Sequence, residues 1–320
     1  MNTTTRASLI AAAIALLPGV AAASCGSAFC AVNTNWTAES AQVDAPSSWD
    51  LRYEHINQDQ PQTGTDRIGV GQIPHHHDEV STANRNLVAT YSRNLGAGFG
   101  VTVSAAISDR DHLHVHNHHG AQLPEQWTYT ELGDVRVTGR YQLPYVGDPM
   151  APANTGLIFG LKLPTGRTNV ANAAGSVAER SLQPGTGTTD LILGAYYHQK
   201  LPQRDASWFA QVQVQQALNS HDDYRPGTQL GIDLGYRHGL TDKLGGLVQL
   251  NTVVKRSDSG AQAEPEDSGS RAVFLSPGLA YALTDNTQVY GFYQHPLYQN
   301  VNGVQLTARR AIVVGLSGRF

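Results

Sequence analysis

The sequence has little charge, little cysteine and no long apolar run. Charged residues make up 15% of its 320 positions, the net charge is −4, and only two cysteines occur. This balance lacks the basic surface that nucleic-acid binding requires, so no nucleic acid partner is expected. No apolar stretch approaches the roughly 20 residues of a membrane-spanning helix. Helical periodicity over a long segment is also missing after the N-terminus, which argues against a helical fold.

The N-terminus has the pattern of a secretory signal peptide. Arg6 supplies a thin positive region, positions 9–17 form a short apolar core, and Ala21 and Ala23 form a small-residue cleavage site. We therefore expect residues 1–23 to be a signal peptide that is removed on export.

Export would place Cys25 and Cys30 in an oxidising compartment. A disulfide between them is the first interpretation, and it would stabilise only a local turn because the loop is short. A metal-thiolate pair fits less well, since the spacing differs from the usual two-residue gap. Acylation of Cys25 in a lipoprotein stays open as an alternative. Residues 24–46 are expected to form a periplasmic N-terminal segment or plug.

Alternation of apolar and polar residues dominates the remaining chain. In FGVTVSAAIS, for example, Phe99, Val101 and Val103 share one face while Thr102 and Ser104 take the other. Each such segment is close to the roughly ten residues that a tilted strand needs to cross a bilayer. We count twelve of them, at about 49–57, 84–94, 99–110, 132–143, 155–163, 188–200, 206–217, 228–238, 244–256, 271–283, 288–295 and 308–320.

Short turns near positions 96, 239 and 284 alternate with long polar stretches along the chain. This alternation predicts an all-β fold for 47–320: a transmembrane antiparallel up-and-down β-barrel of about 12 strands, with long extracellular loops and short periplasmic turns. A soluble β-sandwich is the alternative. The long stretches, interpreted as loops, are 58–83, 111–130, 164–187, 218–227, 257–270 and 296–307.

Aromatic residues on the apolar face lie at the strand ends next to the short turns. Such a girdle is typical of the level of the lipid headgroups, where rings with a polar edge are favoured. The pattern indicates a barrel in the outer membrane of a Gram-negative bacterium, in contact with its lipid. The residues are Tyr91, Phe99, Tyr141, Tyr197, Trp208, Tyr236, Tyr281 and Phe320.

Four stretches between positions 132 and 320 resemble a known family: LGDVRVTGRYQL, GLKLPTGR, LQPGTGTTDLILGAYYHQKL and VVGLSGRF. They are similar to the outer-membrane channel family named for the meta-pathway of phenol degradation, whose members are often labelled transporters. The resemblance implies an outer-membrane barrel and passage of small molecules, and the name associates the family with aromatic compounds. Phe320 resembles the C-terminal signal that the barrel assembly machinery reads.

Two histidine-rich runs, PHHHDE and DHLHVHNHHG, fall at one predicted barrel end. Alternate residues of a strand lie on one face about 6.5 Å apart, so two imidazoles can approach one ion. Imidazole suits zinc and copper, while a solvated loop without metal affinity is the alternative. No cofactor is required, and zinc or copper ions are the metals expected. The candidate ligands are His75, His76, His77, His112, His114, His116, His118 and His119.

Charged residues also recur on the inward face of the predicted strands. A cation on the lipid face would cost about 2–4 kcal/mol near the bilayer midplane, so these side chains are expected to line the pore. The predicted pore-lining residues are Arg52, Glu54, Asp134, Arg136, Arg140, Lys162, Asp190, Asp233 and Arg237, and Lys255 shares their face.

Catalytic motifs are missing: the sequence contains no Gly-x-Ser-x-Gly elbow, no His-Glu-x-x-His pair and no phosphate loop, so an enzyme is not expected. The sequence therefore predicts an outer-membrane channel or transporter for a small solute, with divalent metal ions captured by the histidine-rich loops as its special feature. Two alternatives stay open. One is a surface metal-binding or structural barrel without transport, and the other is a channel for small aromatic compounds, as the family name implies.

Overall fold

A computed structural model of the chain describes residues 32–34, 46–73, 78–118, 121–144 and 152–320. The signal peptide and both cysteines lie outside these residues, so the predictions for 1–23, Cys25 and Cys30 stay untested. Within the described part, the helices are two single 3-10 turns, at Arg180–Leu182 and Pro202–Arg204. No helix found there is long and apolar enough to cross a membrane.

Thirteen strands make up one antiparallel sheet in the described residues. Their bounds are β1 (Ser47–Gly64), β2 (Asp66–Arg67), β3 (Asp78–Gly96), β4 (Phe99–His118), β5 (Ala121–Leu132), β6 (Val135–Gln142), β7 (Ala153–Leu163), β8 (Asp190–Leu201), β9 (Ala206–Ala217), β10 (Gln229–Gly239), β11 (Leu244–Lys255), β12 (Ser270–Ala282) and β13 (Thr287–Arg319).

The sheet closes on itself because β13 pairs with β1 as well as with β12. The backbone groups of Phe320 and Ser47 exchange two hydrogen bonds of 3.0 Å at this seam. Closure leaves no free sheet edge along the ring, which a lipid environment requires. The prediction of an all-β, antiparallel barrel is confirmed.

Eleven of the named strands form the ring, while β2 and β5 lie outside it. β6 pairs with residues 99–104 of β4, and β5 pairs with residues 107–118 of the same strand, further towards the long-loop end. β13 pairs with β12 through residues 288–301 and with β1 through 301–319, and it turns at Gly303, whose φ is 51°. The ring is therefore close to the predicted count of about twelve strands.

Apolar side chains cover the outside of the barrel and polar side chains fill the inside. Leu157, Leu193 and Leu234 are 46–50% exposed, whereas Asn251 and Ser276 are fully buried. This distribution is the reverse of a water-soluble protein, where the interior is apolar. It suits a barrel whose outer surface faces lipid, and the soluble β-sandwich is thereby rejected.

The outward aromatic residues form pairs at the end of the barrel that carries the short turns. Ring centroids are 4.7 Å apart for Phe99 and Tyr141, 4.9 Å for Tyr197 and Trp208, and 6.5 Å for Tyr91 and Phe320. We call this the short-turn end, defined by the connections 97–98, 202–205, 240–243 and 283–286. The opposite long-loop end carries the connections 164–189, 218–228 and 256–269.

Several stretches interpreted as loops are strands in the structure. Residues 58–64, 78–83, 111–118 and 121–130 continue the hydrogen-bonded ladder, so the predicted loops 58–83 and 111–130 were largely wrong. Their outward faces are mostly polar, apart from Leu113, Val115 and Leu123, because they stand clear of the lipid. Polarity on both faces weakens the alternation that identified the other strands.

These extensions make one side of the barrel taller than the other. At about 3.3 Å per residue, the 20 residues of β4 run roughly twice as far as the 11 residues of β7. We call the side formed by β1, β3, β4, β5 and residues 304–319 of β13 the tall wall. Above the lipid its outer face carries ion pairs such as Arg85 with Asp109, at 2.5 Å.

Candidate functional site

The lumen of the barrel holds the residues that were predicted to line a pore. Arg136, for example, has Asp190 and Arg52 as charged neighbours from other strands, which places its side chain inside. Their part in solute passage stays a prediction. The residues on interior strand positions, or just beyond a strand end, are Arg52, Glu54, Asp134, Arg136, Arg140, Lys162, Asp190, Asp233, Arg237 and Lys255.

One group of charges lies on β1 near the short-turn end. The Arg52 Nε donates to Glu54 Oε1 at 2.7 Å, and Arg52 Nη1 lies 3.7 Å from Asp50 Oδ1. The Tyr290 hydroxyl donates to Asp50 at 2.7 Å, from across the seam. Burial of a carboxylate is tolerated when hydrogen bonds and an opposite charge compensate it, and both carboxylates have such partners here.

Residues 32–34 lie within the lumen and bind to its wall. The backbone N–H of Asn33 donates to Gln249 Oε1 at 3.0 Å, and Gln249 Nε2 donates back to the Asn33 carbonyl at 2.8 Å. The side chain of Asn33 donates to Asp233 at 3.2 Å, and Arg52 donates to the Thr34 hydroxyl at 2.8 Å. This part of the predicted N-terminal segment therefore occupies the channel interior. The role of the whole segment 24–46 stays a prediction.

The side chain of Val32 belongs to an apolar cluster near the short-turn end. An adjoining cavity has about 10 Å³ of free volume, the space of about one water molecule, and it is lined by Arg237 and Thr34 as well as by apolar groups. Apolar surface inside a polar lumen is unexpected from the strand pattern, because it interrupts the polar inward face. The members of this apolar cluster are Val32, Phe209, Leu247, Ala280, Tyr290, Phe292 and Val313.

Lys162 is the centre of a buried network at the long-loop end. Its Nζ lies 2.9 Å from Asp134 and 3.2 Å from Asp190, and it also donates to the Thr186 hydroxyl. The backbone N–H of Thr186 donates to Asp134 at 3.1 Å. One ammonium thus compensates two carboxylates and ties the connection 164–189, which we call the inward loop, to the wall.

Two glycines let the inward loop fold back on itself. A Cβ on Gly166 would lie 2.7 Å from the Gly185 Cα, a distance that real Cβ contacts do not reach. The Gly166 N–H donates to Asp134 at 3.0 Å, and the Gly185 N–H donates to the Arg167 carbonyl at 2.9 Å. The motifs PTGR and PGTG, which lie apart in sequence, therefore meet at the network of Lys162.

The tall wall holds the inward loop from the other side. Arg110 donates to the Leu182 carbonyl at 2.7 Å, the Tyr129 hydroxyl donates to the same carbonyl, and Trp127 Nε1 donates to the Ser176 carbonyl at 2.9 Å. Leu182 is 1% exposed and packs with Trp127 and Leu306. The loop therefore covers the interior face of the tall wall instead of extending into solvent.

A second chain of contacts joins the inward loop to the two other long connections. The Arg180 guanidinium lies 5.1 Å from the ring centroid of Tyr224, and the Tyr224 hydroxyl donates to Asp258 at 3.0 Å. Lys255 pairs with the same carboxylate at 2.8 Å. All three long connections are thus linked above the lumen by charged groups.

The structure places the side chains of only two of the eight histidines predicted as metal ligands. His75, His76, His77 and His119 lie outside the described residues, and His116 and His118 are placed only as backbone positions of β4. His112 and His114 are at most 2% exposed and face the interior, where Trp127 packs on both, with ring centroids 5.8 and 4.6 Å away. They lie on β4 and not in the predicted loop 111–130.

His112 and His114 have protein groups beside them. His112 Nδ1 is 2.8 Å from the Thr82 hydroxyl, and His114 Nε2 is 3.6 Å from Glu125. Burial above all, together with the nearby His114 and Arg110, lowers the pKa of His112 to about 3. Among the described residues, no three His, Cys, Asp or Glu side chains group to hold a metal ion. Zinc or copper binding by the eight histidines stays a prediction.

The chain is similar in fold to solved outer-membrane proteins. An outer membrane channel from Pseudomonas putida F1 is 12% identical over 86% of this chain and 96% of that one, with a TM-score of 0.64. The NanC porin is 11% identical over 85% and 100%, with a TM-score of 0.46. The P. putida toluene transporter TodX is 9% identical over 86% and 90%, with a TM-score of 0.45.

The fold is therefore that of an outer-membrane channel, in agreement with the predicted localisation in the outer membrane of a Gram-negative bacterium. No curated protein matches the chain. A family described as "Putative MetA-pathway of phenol degradation" matches residues 75–312, well over half of the sequence. The chain belongs to this family, the one that its motifs resemble.

Proposed function

We propose that the protein is an outer-membrane channel for small, largely apolar aromatic molecules. The observation that carries the proposal is the apolar cluster around Val32, which interrupts the polar lumen near the short-turn end of the closed barrel. A lumen that passed only ions would have no use for buried Phe209 and Phe292 on its wall. The family description, which refers to phenol degradation, supports the same class of solute.

The route runs from the long-loop end to the short-turn end. By the usual orientation of such barrels, the long connections face the outside and the short turns face the periplasm. A solute enters beside the inward loop, passes the charged wall and reaches the apolar cluster next to Val32. Several weak contacts along the way favour passage, because one tight site would prevent release.

Metal capture is not part of this proposal. The family and the solved relatives offer no support for it, and His112 and His114 contact Thr82 and Trp127 in the tall wall. Metal analysis of protein purified without a histidine tag tests the remaining prediction for zinc or copper. Catalysis is not proposed either, in keeping with the channel fold.

Flux through proteoliposomes tests the channel directly. Ala280 is 6% exposed and lines the cavity, whereas its neighbour Leu279 is 54% exposed on the lipid side. We expect Ala280→Trp to reduce toluene uptake about fivefold or more, because an indole fills the cavity. Leu279→Trp, the matched control, should leave uptake unchanged.

Equal uptake by both variants and the wild type would contradict the proposed route. Absence of toluene uptake and of single-channel conductance in every condition would favour the alternative of a barrel without transport.

We also propose that Phe320 acts as the recognition signal for the barrel assembly machinery. Its ring is 64% exposed beside Tyr91, and its backbone closes the seam with Ser47. Deleting Phe320 should reduce the amount of assembled barrel far more than changing Phe29, which lies outside the described residues. Equal losses would contradict this role.

A further inference from the structure

The charges of the lumen are unevenly compensated. The acidic residues near the middle and the short-turn end of the lumen have close partners: Lys162 for two of them, Arg52 for two more, and amides for Asp233. Among the described residues, Arg136, Arg140 and Arg237 have no carboxylate within ion-pair distance. These three guanidinium groups therefore place positive charge on this part of the wall, and this charge attracts an anionic solute.

Arg140 lies at the centre of a polar patch on β6, β7, β8 and β9. Its guanidinium is 5.8 Å from the ring centroid of Tyr196, which reaches across β7 over Gly156. A Cβ on Gly156 would lie 2.7 Å from the Tyr196 hydroxyl, so the absence of a side chain there permits this approach. Tyr196 is 3% exposed, and its ring is held in place by the wall.

Two further interior side chains adjoin Tyr196. His198 follows it on the same face of β8, at the usual separation of about 6.5–7 Å for alternate residues. Gln211 is directly opposite Tyr196 on β9, and Phe209 is directly opposite His198. Residues opposite one another in an antiparallel pair have Cβ atoms about 4.5–5.5 Å apart. Tyr196 therefore has Arg140 on the β6 side and His198 and Gln211 on the β8 and β9 side, and we call these four residues the lumen subsite.

The lumen subsite contains buried polar atoms that the protein does not use. His198 is 1% exposed, yet in the part of the chain that the structure describes neither of its ring nitrogens has a hydrogen-bond partner. The same is true there of Arg140 Nε and Gln211 Oε1. Nearly all buried polar groups in folded proteins have partners, so a cluster of exceptions indicates a bound ligand. A half-turn of the Gln211 side-chain amide would exchange its oxygen and nitrogen and present an N–H to that ligand.

The apolar cluster begins at this patch, because Phe209 belongs to it and faces His198. A molecule with a polar head at Arg140 and His198 would therefore place its apolar body against Phe209 and the cavity beyond. The charge of Arg140 favours a negative head, and a planar carboxylate can accept from a guanidinium and an imidazole together.

We propose that the lumen subsite binds the carboxylate of small monoaromatic acids of about the size of benzoate. Arg140 and His198 donate to the carboxylate, Gln211 donates from the opposite side, and the ring lies against Phe209. The inference rests on the proposed channel and narrows its solutes to aromatic acids.

Calorimetric titration of the detergent-solubilised full chain tests the subsite with two probes, benzoate and its neutral analogue benzyl alcohol. Loss of a charged hydrogen bond costs about 1.5–3 kcal/mol, so we expect Arg140→Met to weaken benzoate binding about tenfold or more. Benzyl alcohol binding should change less than about twofold, since its contact with Phe209 is retained. His198→Asn should weaken benzoate binding severalfold.

Controls separate this effect from a loss of structure. Arg309→Met removes an arginine that is 62% exposed outside the lumen, and His238→Asn removes an outward histidine that stacks on Tyr236. Both should bind benzoate like the wild type. Heat-modifiable gel migration checks assembly, and Arg140→Lys replaces Arg140→Met if the latter fails to assemble. Lysine keeps the charge without the planar fork, so an intermediate affinity is expected.

Three results would overturn the subsite: no saturable benzoate binding by the wild type, unchanged binding by Arg140→Met, or equal loss of benzoate and benzyl alcohol. If toluene uptake still responds to Ala280→Trp, the proposed channel stands without the subsite. If toluene uptake is absent while benzoate binds as expected, the subsite stands and the route for neutral aromatics falls.

Discussion

The two ends of the lumen are filled by segments that are held in different ways. At the long-loop end, charged groups hold the inward loop: Lys162 lies between Asp134 and Asp190, and Arg180 contacts Tyr224. At the short-turn end, Val32 inserts an apolar side chain, and a few hydrogen bonds of residues 33 and 34 hold it there.

This difference indicates which of the two structures stays in place during passage. Removing one partner from a buried ion pair costs about 3–5 kcal/mol, because the remaining charge stays uncompensated. A neutral hydrogen bond contributes only about 0.5–1.5 kcal/mol, and an apolar solute can replace the contacts of a valine. The long-loop end is therefore built as a fixed frame, and the short-turn end as a removable closure.

The largest effect is expected at the frame. Lys162→Met leaves Asp134 and Asp190 buried without their cation and should cost about 3–5 kcal/mol of unfolding free energy. The inward loop should also become sensitive to protease. Urea unfolding and limited proteolysis in lipid vesicles measure both effects.

Arg309→Met is the matched control for this change. Arg309 is 62% exposed and 3.5 Å from Asp59, and such an exposed pair contributes about 0–1 kcal/mol. Equal protease resistance of Lys162→Met and the wild type would show that the network does not hold the loop.

The second prediction concerns the removable closure. Val32→Asp places a carboxylate in the apolar cluster, where a charge without a partner costs several kcal/mol, more than the hydrogen bonds of Asn33 can offset. Single-channel conductance should rise severalfold while the barrel stays assembled. Val70→Asp, at a position 43% exposed outside the lumen, should leave conductance unchanged. A rise of conductance in both variants, or in neither, would contradict the assignment of Val32 as a removable closure.

The tall wall above the frame should respond to acid through His112. Its pKa of about 3 is below the unfolded value of about 6.5, so the opened wall binds a proton that the closed wall does not. Stability is therefore fully present above pH 6.5 and is lost as pH falls towards 3. At pH 4.5 the expected loss is about 2–3 kcal/mol.

Hydrogen exchange of residues 107–118 at pH 7 and pH 4.5, corrected for intrinsic rates, measures this loss. In His112→Gln, which cannot titrate, protection should depend much less on pH, whereas exposed His238→Asn should behave as the wild type. Equal protection of the wild type at both pH values would exclude His112 as the cause.

The smallest effect is expected at Glu264 in the connection 256–269. Burial above all, together with the nearby Asp267 and Asp258, raises the pKa of Glu264 to about 8. Because the folded pKa is above the unfolded one, its contribution is present below about pH 4.3 and is lost as pH rises through 8. Glu264→Gln should therefore stabilise this connection by about 1 kcal/mol at pH 9, as measured by hydrogen exchange. Glu266→Gln, at an exposed position, should not.

The sequence alone was sufficient to predict the barrel and to predict which residues of its wall face the lipid and which face the lumen. Period-two alternation assigned Phe99 and Val103 to the lipid and Lys162 and Asp190 to the interior, and both assignments agree with the burial of these residues. The physical reason is local, because each strand residue faces either lipid or lumen, and that choice leaves its mark on every second position.

The sequence was insufficient where both faces meet water or where partners come from distant strands. The extensions at 58–64 and 111–118 carry little apolar alternation, so they were interpreted as loops, and His112 with them. The insertion of Val32 among Phe209 and Phe292 depends on ring closure, which brings together strands that lie far apart in the chain. Periodicity reports the environment of each face, whereas the register around a closed ring decides which side chains meet across the lumen.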